Sequence, residues 1–154
     1  MKIYVASSWR NRYQPGVVAL LRELGCEVYD FRNPTDGDHG FSWSQLPGQG
    51  AYEHGDAVSG ETLREMLAHP ISQRGYALDI GAVRWCDVGV LVLPSGRSAS
   101  WEFGNIMGQG KPGILYMPEP CEPELMYSEA SIATDAFELS AEVGRLLGKA
   151  GSNG

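Results

Sequence analysis

The sequence has no long hydrophobic run, little positive charge and very few cysteines or histidines, and each shortage removes a class of protein. No apolar stretch among its 154 residues approaches the roughly 18 residues a membrane-crossing helix needs, so the chain is expected to be soluble, with no membrane partner. Its opening, Met1-Lys2-Ile3-Tyr4-Val5-Ala6, meets Ser7 and Ser8 too soon to be the apolar centre of a signal peptide, which predicts a cytoplasmic location. The 12 Lys and Arg are outnumbered by 19 Asp and Glu, for a formal charge of -7. Broad binding to DNA or RNA draws its affinity from cations that neutralise many phosphates. A nucleic acid polymer is therefore not expected as a partner, although a local cluster can still hold one phosphate.

The cysteines, Cys26, Cys86 and Cys121, lie far apart and are odd in number, and His39, His54 and His69 show no ligand spacing. Neither set reads as a zinc site or a disulfide framework. The thiols are expected to be free and the histidines to lie on the surface or in loops. No metal and no cofactor is assigned.

What remains is an ordinary globular composition, 43% hydrophobic and 20% charged. A chain of this size buries roughly 68–70% of its unfolded surface, enough for one core. A single domain over 1–147 is expected, with a flexible C-terminal tail at 148–154. Ile3 to Ala6 reads as a strand. Pro15 suits the first turn of a helix, where its missing N–H costs nothing, and Val17, Val18, Leu20, Leu21 and Leu24 follow at helical spacing before Gly25. Further strands are predicted at Glu27 to Phe31, Val88 to Leu93 and Gly113 to Met117, with a short edge strand near Ile132. Helices are predicted at Glu61 to Ala68, Ile71 to Trp85 (Ala77, Ile80 and Val83 buried), Ser100 to Gln109 and Ala136 to Leu147. This alternation predicts an α/β fold, a doubly wound parallel sheet of about five strands with helices on both faces. Between Arg32 and Gly60 the pattern is lost. Asn33-Pro34, Asp36-Gly37, His39-Gly40 and Pro47-Gly48 punctuate a segment carrying Phe41, Trp43 and Tyr52, which reads as a functional lid or base-stacking loop.

Ligands of such sheets sit beyond the carboxyl ends of the strands, where strand order reverses. Two loops qualify: Ser7-Ser8-Trp9-Arg10-Asn11 after the first strand, and Ser95-Gly96-Arg97-Ser98-Ala99-Ser100 after the run ending at Leu93. Each joins hydroxyls to an Arg, and the second enters a helix N-terminus, where unpaired N–H groups and the dipole favour an anion. Taken singly, Ser98 or Ser100 is explained as a helix cap and the arginines as solvated; together the loops favour ligand binding. Glu102 is expected in the first helical turn, either as a stabilising charge or as a nucleophile. It is two residues from Ser100 and four from Ser98, so it misses a capping box. Gly108-Gln109-Gly110-Lys111-Pro112-Gly113 matches a glycine-rich dinucleotide motif in form, but follows a helix and precedes a strand, and is read as a turn. Trp9 and Trp43 suit stacking on a planar base or packing in the core; Trp101 reads either as a site residue or as a buried wall.

Asp79-Ile80-Gly81-Ala82-Val83-Arg84-Trp85-Cys86-Asp87, the strand from Val88 to Leu93, Trp101-Glu102-Phe103-Gly104 and Gly110-Lys111-Pro112 together resemble the nucleoside 2-deoxyribosyltransferase-like superfamily, from the first strand to about Met117. The resemblance implies a flavodoxin-like (Rossmann-type) sheet and cleavage of N-glycosidic bonds in nucleosides or nucleoside monophosphates. It makes Glu102, in its Glu-x-Gly motif, the nucleophile, and Asp79 a helper of base departure or else a solvent-facing helix residue. Asp87 reads as fixing the turn into its strand. The base-exchanging transferases usually carry an aspartate six residues before the nucleophile, where this chain has Gly96. Ser7, Arg10, Arg97, Ser98 and Ser100 are closer to the 5′-phosphate loops of the superfamily's nucleotide hydrolases. The expected function is therefore hydrolysis of a nucleoside or deoxynucleoside 5′-monophosphate. A base-exchanging transferase, a non-catalytic nucleotide sensor and an NAD-type signalling-nucleotide hydrolase are the alternatives. A homodimer or higher homo-oligomer is also implied, with Glu124-Leu125-Met126-Tyr127 as the segment offered to a neighbour.

Overall fold

A computed structural model of the chain describes residues 1–47 and 57–151, with side chains up to residue 148. Tyr52 and His54 of the expected loop lie outside the described residues, as do residues 152–154 of the expected tail. The chain divides into two compact units, one formed by Met1–Asp30 with Ala82–Gly154 and the other by Phe31–Gly81.

The first unit contains the sheet. Its strands are β1 (Lys2–Ala6), β2 (Glu27–Asp30), β3 (Val88–Val92), β4 (Gly113–Tyr116) and β5 (Ser131–Ala133), in the order β2-β1-β3-β4-β5. Every pairing is parallel, the doubly wound flavodoxin-like order. All residues of β3 and β4 are buried, as expected for central strands covered on both faces.

Side-chain alternation divides each strand between the two faces. Ile3 and Val5 of β1, Val88, Val90 and Val92 of β3, and Ile114 and Tyr116 of β4 form one core with Val17, Val18 and Leu21 of α1 (Gln14–Glu23) and with Leu139 and Val143 of the C-terminal helix. The alternate positions face the other way. There Gly89 of β3 and Gly113 of β4, direct neighbours in register, lie under Phe103, Ile106 and Met107 of α4 (Arg97–Gly108). A Cβ on Gly113 would come within 2.7 Å of Phe103 and of Met107, and one on Gly89 within 3.2 Å of Phe103 and Ile106. The paired glycines are the floor on which α4 sits.

Local chemistry ends α1 and α3 (Pro70–Trp85). At the close of α1, Gly25 takes φ 80, the Gly25 N–H donates to the Arg22 carbonyl and the Cys26 N–H to the Leu21 carbonyl, a Schellman motif. After α4, Gly110 takes φ 76 and Lys111 turns back to donate to the carbonyls of Val83 and Arg84 at 3.0 and 2.8 Å, capping the end of α3. The glycine-rich segment 108–113 is thus a turn, and its Lys has a structural use.

In the unit Phe31–Gly81, Ser59 caps α2 (Gly60–Ala68) by accepting from the Thr62 N–H. His69 is extended, because the residue before a proline is driven out of the helical region, and α3 begins at Pro70. The segment from Phe31 to Pro47 is pinned to α3: Phe41 lies on Gly75, within 2.7 Å of where a Cβ would stand, and Arg74 pairs with Asp38 at 2.7 Å. Phe41 and Trp43 meet edge to face at 4.9 Å, and Trp43–Gln45 forms a 3-10 turn.

Three expectations are corrected. First, α4 starts at Arg97, three residues before the expected Ser100, because Ala99, Phe103 and Ile106 are a single buried stripe whose burial overrides the weak helix preference of the serines. Second, Ala77 is exposed and Ile80 only half-buried; Val83 is buried as expected, and α3 buries Ser72 and Ala82 beside it. Third, the last helix, α5 (Ala136–Gly151), continues through Gly148 into the expected tail. Before β5, Leu125–Glu129 forms a 3-10 turn.

Candidate functional site

Strand order reverses between β1 and β3, so their carboxyl ends open the crevice where a doubly wound sheet takes its ligand. The two loops singled out from the sequence are the ones that leave those ends. They are joined by hydrogen bonds: Ser7 Oγ donates to the Val92 carbonyl at 2.9 Å, and Asn11 Nδ2 donates to the carbonyls of Val92 and Pro94 at 3.1 and 2.9 Å. The first loop is a tight turn, with the Arg10 N–H on Ser8 Oγ at 3.2 Å and the Asn11 N–H on the Ser8 carbonyl at 3.0 Å. Trp9, 46% exposed, and Arg10 project from it into solvent.

The second loop ends at Gly96, the N-cap of α4, extended and with no side-chain cap. The helix therefore opens on the main-chain N–H groups of Arg97, Ser98 and Ala99, with their share of the helix dipole. Gly96, Arg97, Ser98 and Ser100 are all exposed. Neither serine is the cap: Ser98 is the second helical residue, and Ser100 Oγ donates back to the Gly96 carbonyl at 3.3 Å. Glu102 moves accordingly. It is the sixth residue of α4, in the second turn rather than the first, and is half-buried. Its neighbour Trp101 is 77% exposed, so it is no buried wall.

These bonds sort the expected binding residues. Ser7, Asn11 and Ser100 direct side-chain donors at the protein's own carbonyls. Arg10, Arg97, Ser98 and the first-turn amides of α4 are the donors presented at the surface. Asp79, half-buried on α3, and Trp43, half-buried in its 3-10 turn, belong to the unit Phe31–Gly81.

Two polar groupings have no sequence signal. Gln14, 1% exposed, donates through Nε2 to Asp30 Oδ1 at 2.7 Å. On the surface, Arg12 Nη2 reaches Tyr13 Oη at 2.6 Å and Glu119 Oε1 at 2.5 Å, and Tyr13 Oη also donates to Glu119. The bonds from Tyr13 and Arg12 hold the Glu119 carboxyl below its usual range, and the bonds to Tyr13 and Glu119 raise the Arg12 guanidinium. The cluster ties the segment after β4 to the start of α1. Both groupings join residues distant in sequence, so no local pattern announces them.

His39 is exposed, and His69 is half-buried with Nδ1 accepting from the Ile71 N–H at 3.2 Å. Among the described residues no group of three or more His, Cys, Asp or Glu is placed to hold a metal ion, and no helix is long and apolar enough to cross a membrane.

No protein-family model and no curated protein matches the chain by sequence. Among solved structures, a 2-deoxyribosyltransferase from the psychrotolerant bacterium Bacillus psychrosaccharolyticus is similar, with a TM-score of 0.57, 23% identity and coverage of 91% of this chain and 90% of that one. A CMP N-glycosidase of Clostridium botulinum is matched with a TM-score of 0.47 and 14% identity over 94% of this chain and 99% of that one. The first of these likenesses establishes a shared α/β fold.

Proposed function

We propose that the protein belongs to the nucleoside 2-deoxyribosyltransferase-like superfamily and hydrolyses the N-glycosidic bond of a nucleoside or 2′-deoxynucleoside 5′-monophosphate, with Glu102 as nucleophile. The observation that carries this reading is the setting of Glu102: half-buried, one turn inside a helix whose uncapped N-terminus opens at the strand-order reversal. The first-turn amides, Arg97, Ser98 and Arg10 supply donors and charge for a phosphate, while Glu102 lies one turn further along the same helix. A glutamate oxygen attacks the anomeric carbon, and the carbon–nitrogen bond breaks with its electron pair passing to the base, which takes up a proton. Asp79 is the proposed donor of that proton. Water then attacks the anomeric carbon of the glycosyl ester, its proton replacing the one given to the base, which releases the sugar phosphate with retained configuration and restores the glutamate. Trp9 and Trp43 are proposed to stack on the base, and a homo-oligomer is proposed with Glu124–Tyr127 at its interface.

The test is chromatography of a panel of purine and pyrimidine monophosphates incubated with wild type and with Glu102→Gln. Free base is expected from at least one monophosphate, with the rate falling on the order of a thousandfold or more in the variant, the scale set by losing a nucleophile. No base release by wild type, or an unchanged rate in the variant, refutes the reading. A second reading, base exchange, is favoured by the transferase activity of the structurally similar protein. It predicts product only when an acceptor base is added.

A further inference from the structure

Asn11 spends all four hydrogen-bonding positions of its carboxamide on the protein's own backbone. Nδ2 donates to the carbonyls of Val92 and Pro94, and Oδ1 accepts from the N–H groups of Tyr13 and Gln14 at 2.7 and 3.0 Å. A carboxamide has two N–H donors and two acceptor lone pairs, so its capacity is filled. The residue is 3% exposed, which turns it away from any ligand in the crevice. Its partners fall into two sets: Tyr13 and Gln14 open α1, whereas Val92 and Pro94 lead to Gly96 and α4.

Capping α1 does not by itself call for asparagine, because Asp or Ser serves a helix start as well. What those residues lack is a two-proton donor facing the other way. Ser7 adds a second donor on the Val92 carbonyl, and Gln14 carries the polar line on to Asp30 at the end of β2. The line follows the carboxyl ends of β3, β1 and β2, in their order in the sheet.

We propose that Asn11 is a positioning residue that fixes the segment Val92–Gly96, and with it the first-turn amides of α4 and Glu102, without touching the substrate. The proposal rests on the reading of the α4 N-terminus as the phosphate seat. A loop held before binding spares the ligand the cost of ordering it, so the tie to Pro94 shows in phosphate affinity.

The experiment uses Asn11→Ser, which retains an α1 cap acceptor and lacks the reach to Pro94, together with Asn11→Asp, which retains the acceptors and loses both donors. Inorganic phosphate is titrated against the amide chemical shifts of Arg97, Ser98 and Ala99, and base release is compared between nucleoside monophosphates and the unphosphorylated nucleosides. In whichever variant folds, the phosphate dissociation constant is expected to rise roughly tenfold or more, a loss of about 1.4 kcal/mol. The preference for phosphorylated substrate should fall by a similar factor, a change that general loss of stability does not produce. Equal phosphate affinity in wild type and folded variants overturns the role of Asn11 and leaves the phosphate seat standing. Amides of wild-type α4 that ignore phosphate overturn both.

Discussion

Replacing Gly113 with alanine tests how closely α4 rests on the sheet. The new methyl carbon would stand 2.7 Å from Phe103 Cζ, 2.7 Å from Met107 Sδ and 3.0 Å from Met107 Cγ, against about 3.5–4.0 Å for carbon atoms in contact. Met107 is half-buried and flexible enough to swing away. Phe103 is 5% exposed and lies over the position of Gly89 as well, where even an added Cβ would stand only 3.2 Å from its ring, so the ring has little freedom and the helix must lift. Overpacking of this kind costs about 1–3 kcal/mol, from which the better strand preference of alanine recovers about 0.5–1 kcal/mol. The expected net loss of about 1–2 kcal/mol lowers Tm by roughly 2–8 °C in a chain of this size. Phe103→Leu removes the atom that is struck, so the penalty of Gly113→Ala should shrink in that background, with a coupling of about 0.5 kcal/mol or more. Urea melts of the two single variants, the double variant and wild type measure the cycle. A Gly113→Ala protein as stable as wild type, or a cycle with no coupling, refutes the close seating. Under the proposed function, lifting α4 by about 1 Å also moves Glu102 and should slow base release on the order of a hundredfold.

Two further predictions separate other parts of the account. Cys26 and Cys86 are buried and Cys121 is exposed, and burial raises both buried thiols above their ordinary value. Since the thiolate is the reactive form, a disulfide reagent should modify Cys121 promptly and the other two only on unfolding; prompt reaction of all three refutes the burial. The linked stability is present below the ordinary thiol value and lost as pH rises through the raised one, because the unfolded chain ionises first. Gly96→Asp tests the phosphate seat by charge. Gly96 is extended and a side chain there meets no atom within 4 Å, so aspartate should cap α4 and keep stability or raise it by a few tenths of a kcal/mol. Its charge should weaken inorganic phosphate binding roughly tenfold or more at low salt, and undiminished binding would move the phosphate elsewhere.

The strands were legible because their evidence is local. Val88 to Leu93 is apolar at every position but Gly89, which only a strand covered on both faces requires, and Pro15 and Gly25 mark the two ends of α1 with residues whose backbone preferences are nearly position-specific. The floor under α4 was not legible, because it depends on Gly89 and Gly113 being neighbours in register, a fact of pairing that neither strand carries alone. The start of α4 was misplaced for a related reason. Serines favour loops by propensity, and only the burial of Ala99 against the sheet pulls Arg97–Ser100 into the helix. The same division runs through the candidate site. That the loops after β1 and β3 would face one crevice followed from the α/β alternation, whereas the aim of each hydroxyl within them did not. Ser7 and Ser98 look alike in sequence, yet a carbonyl at Val92, brought alongside β1 by the parallel sheet, accepts the hydrogen bond that Ser7 can donate. A count of serines in such a loop therefore overstates what reaches a phosphate. What the fold itself guarantees at the crevice is the set of main-chain N–H groups that opens α4, because no residue of an α-helix's first turn has an intrahelical acceptor for them. Under the proposed function, phosphate recognition should accordingly depend more on the seating of α4, and so on Asn11 and the two glycines beneath the helix, than on any single serine.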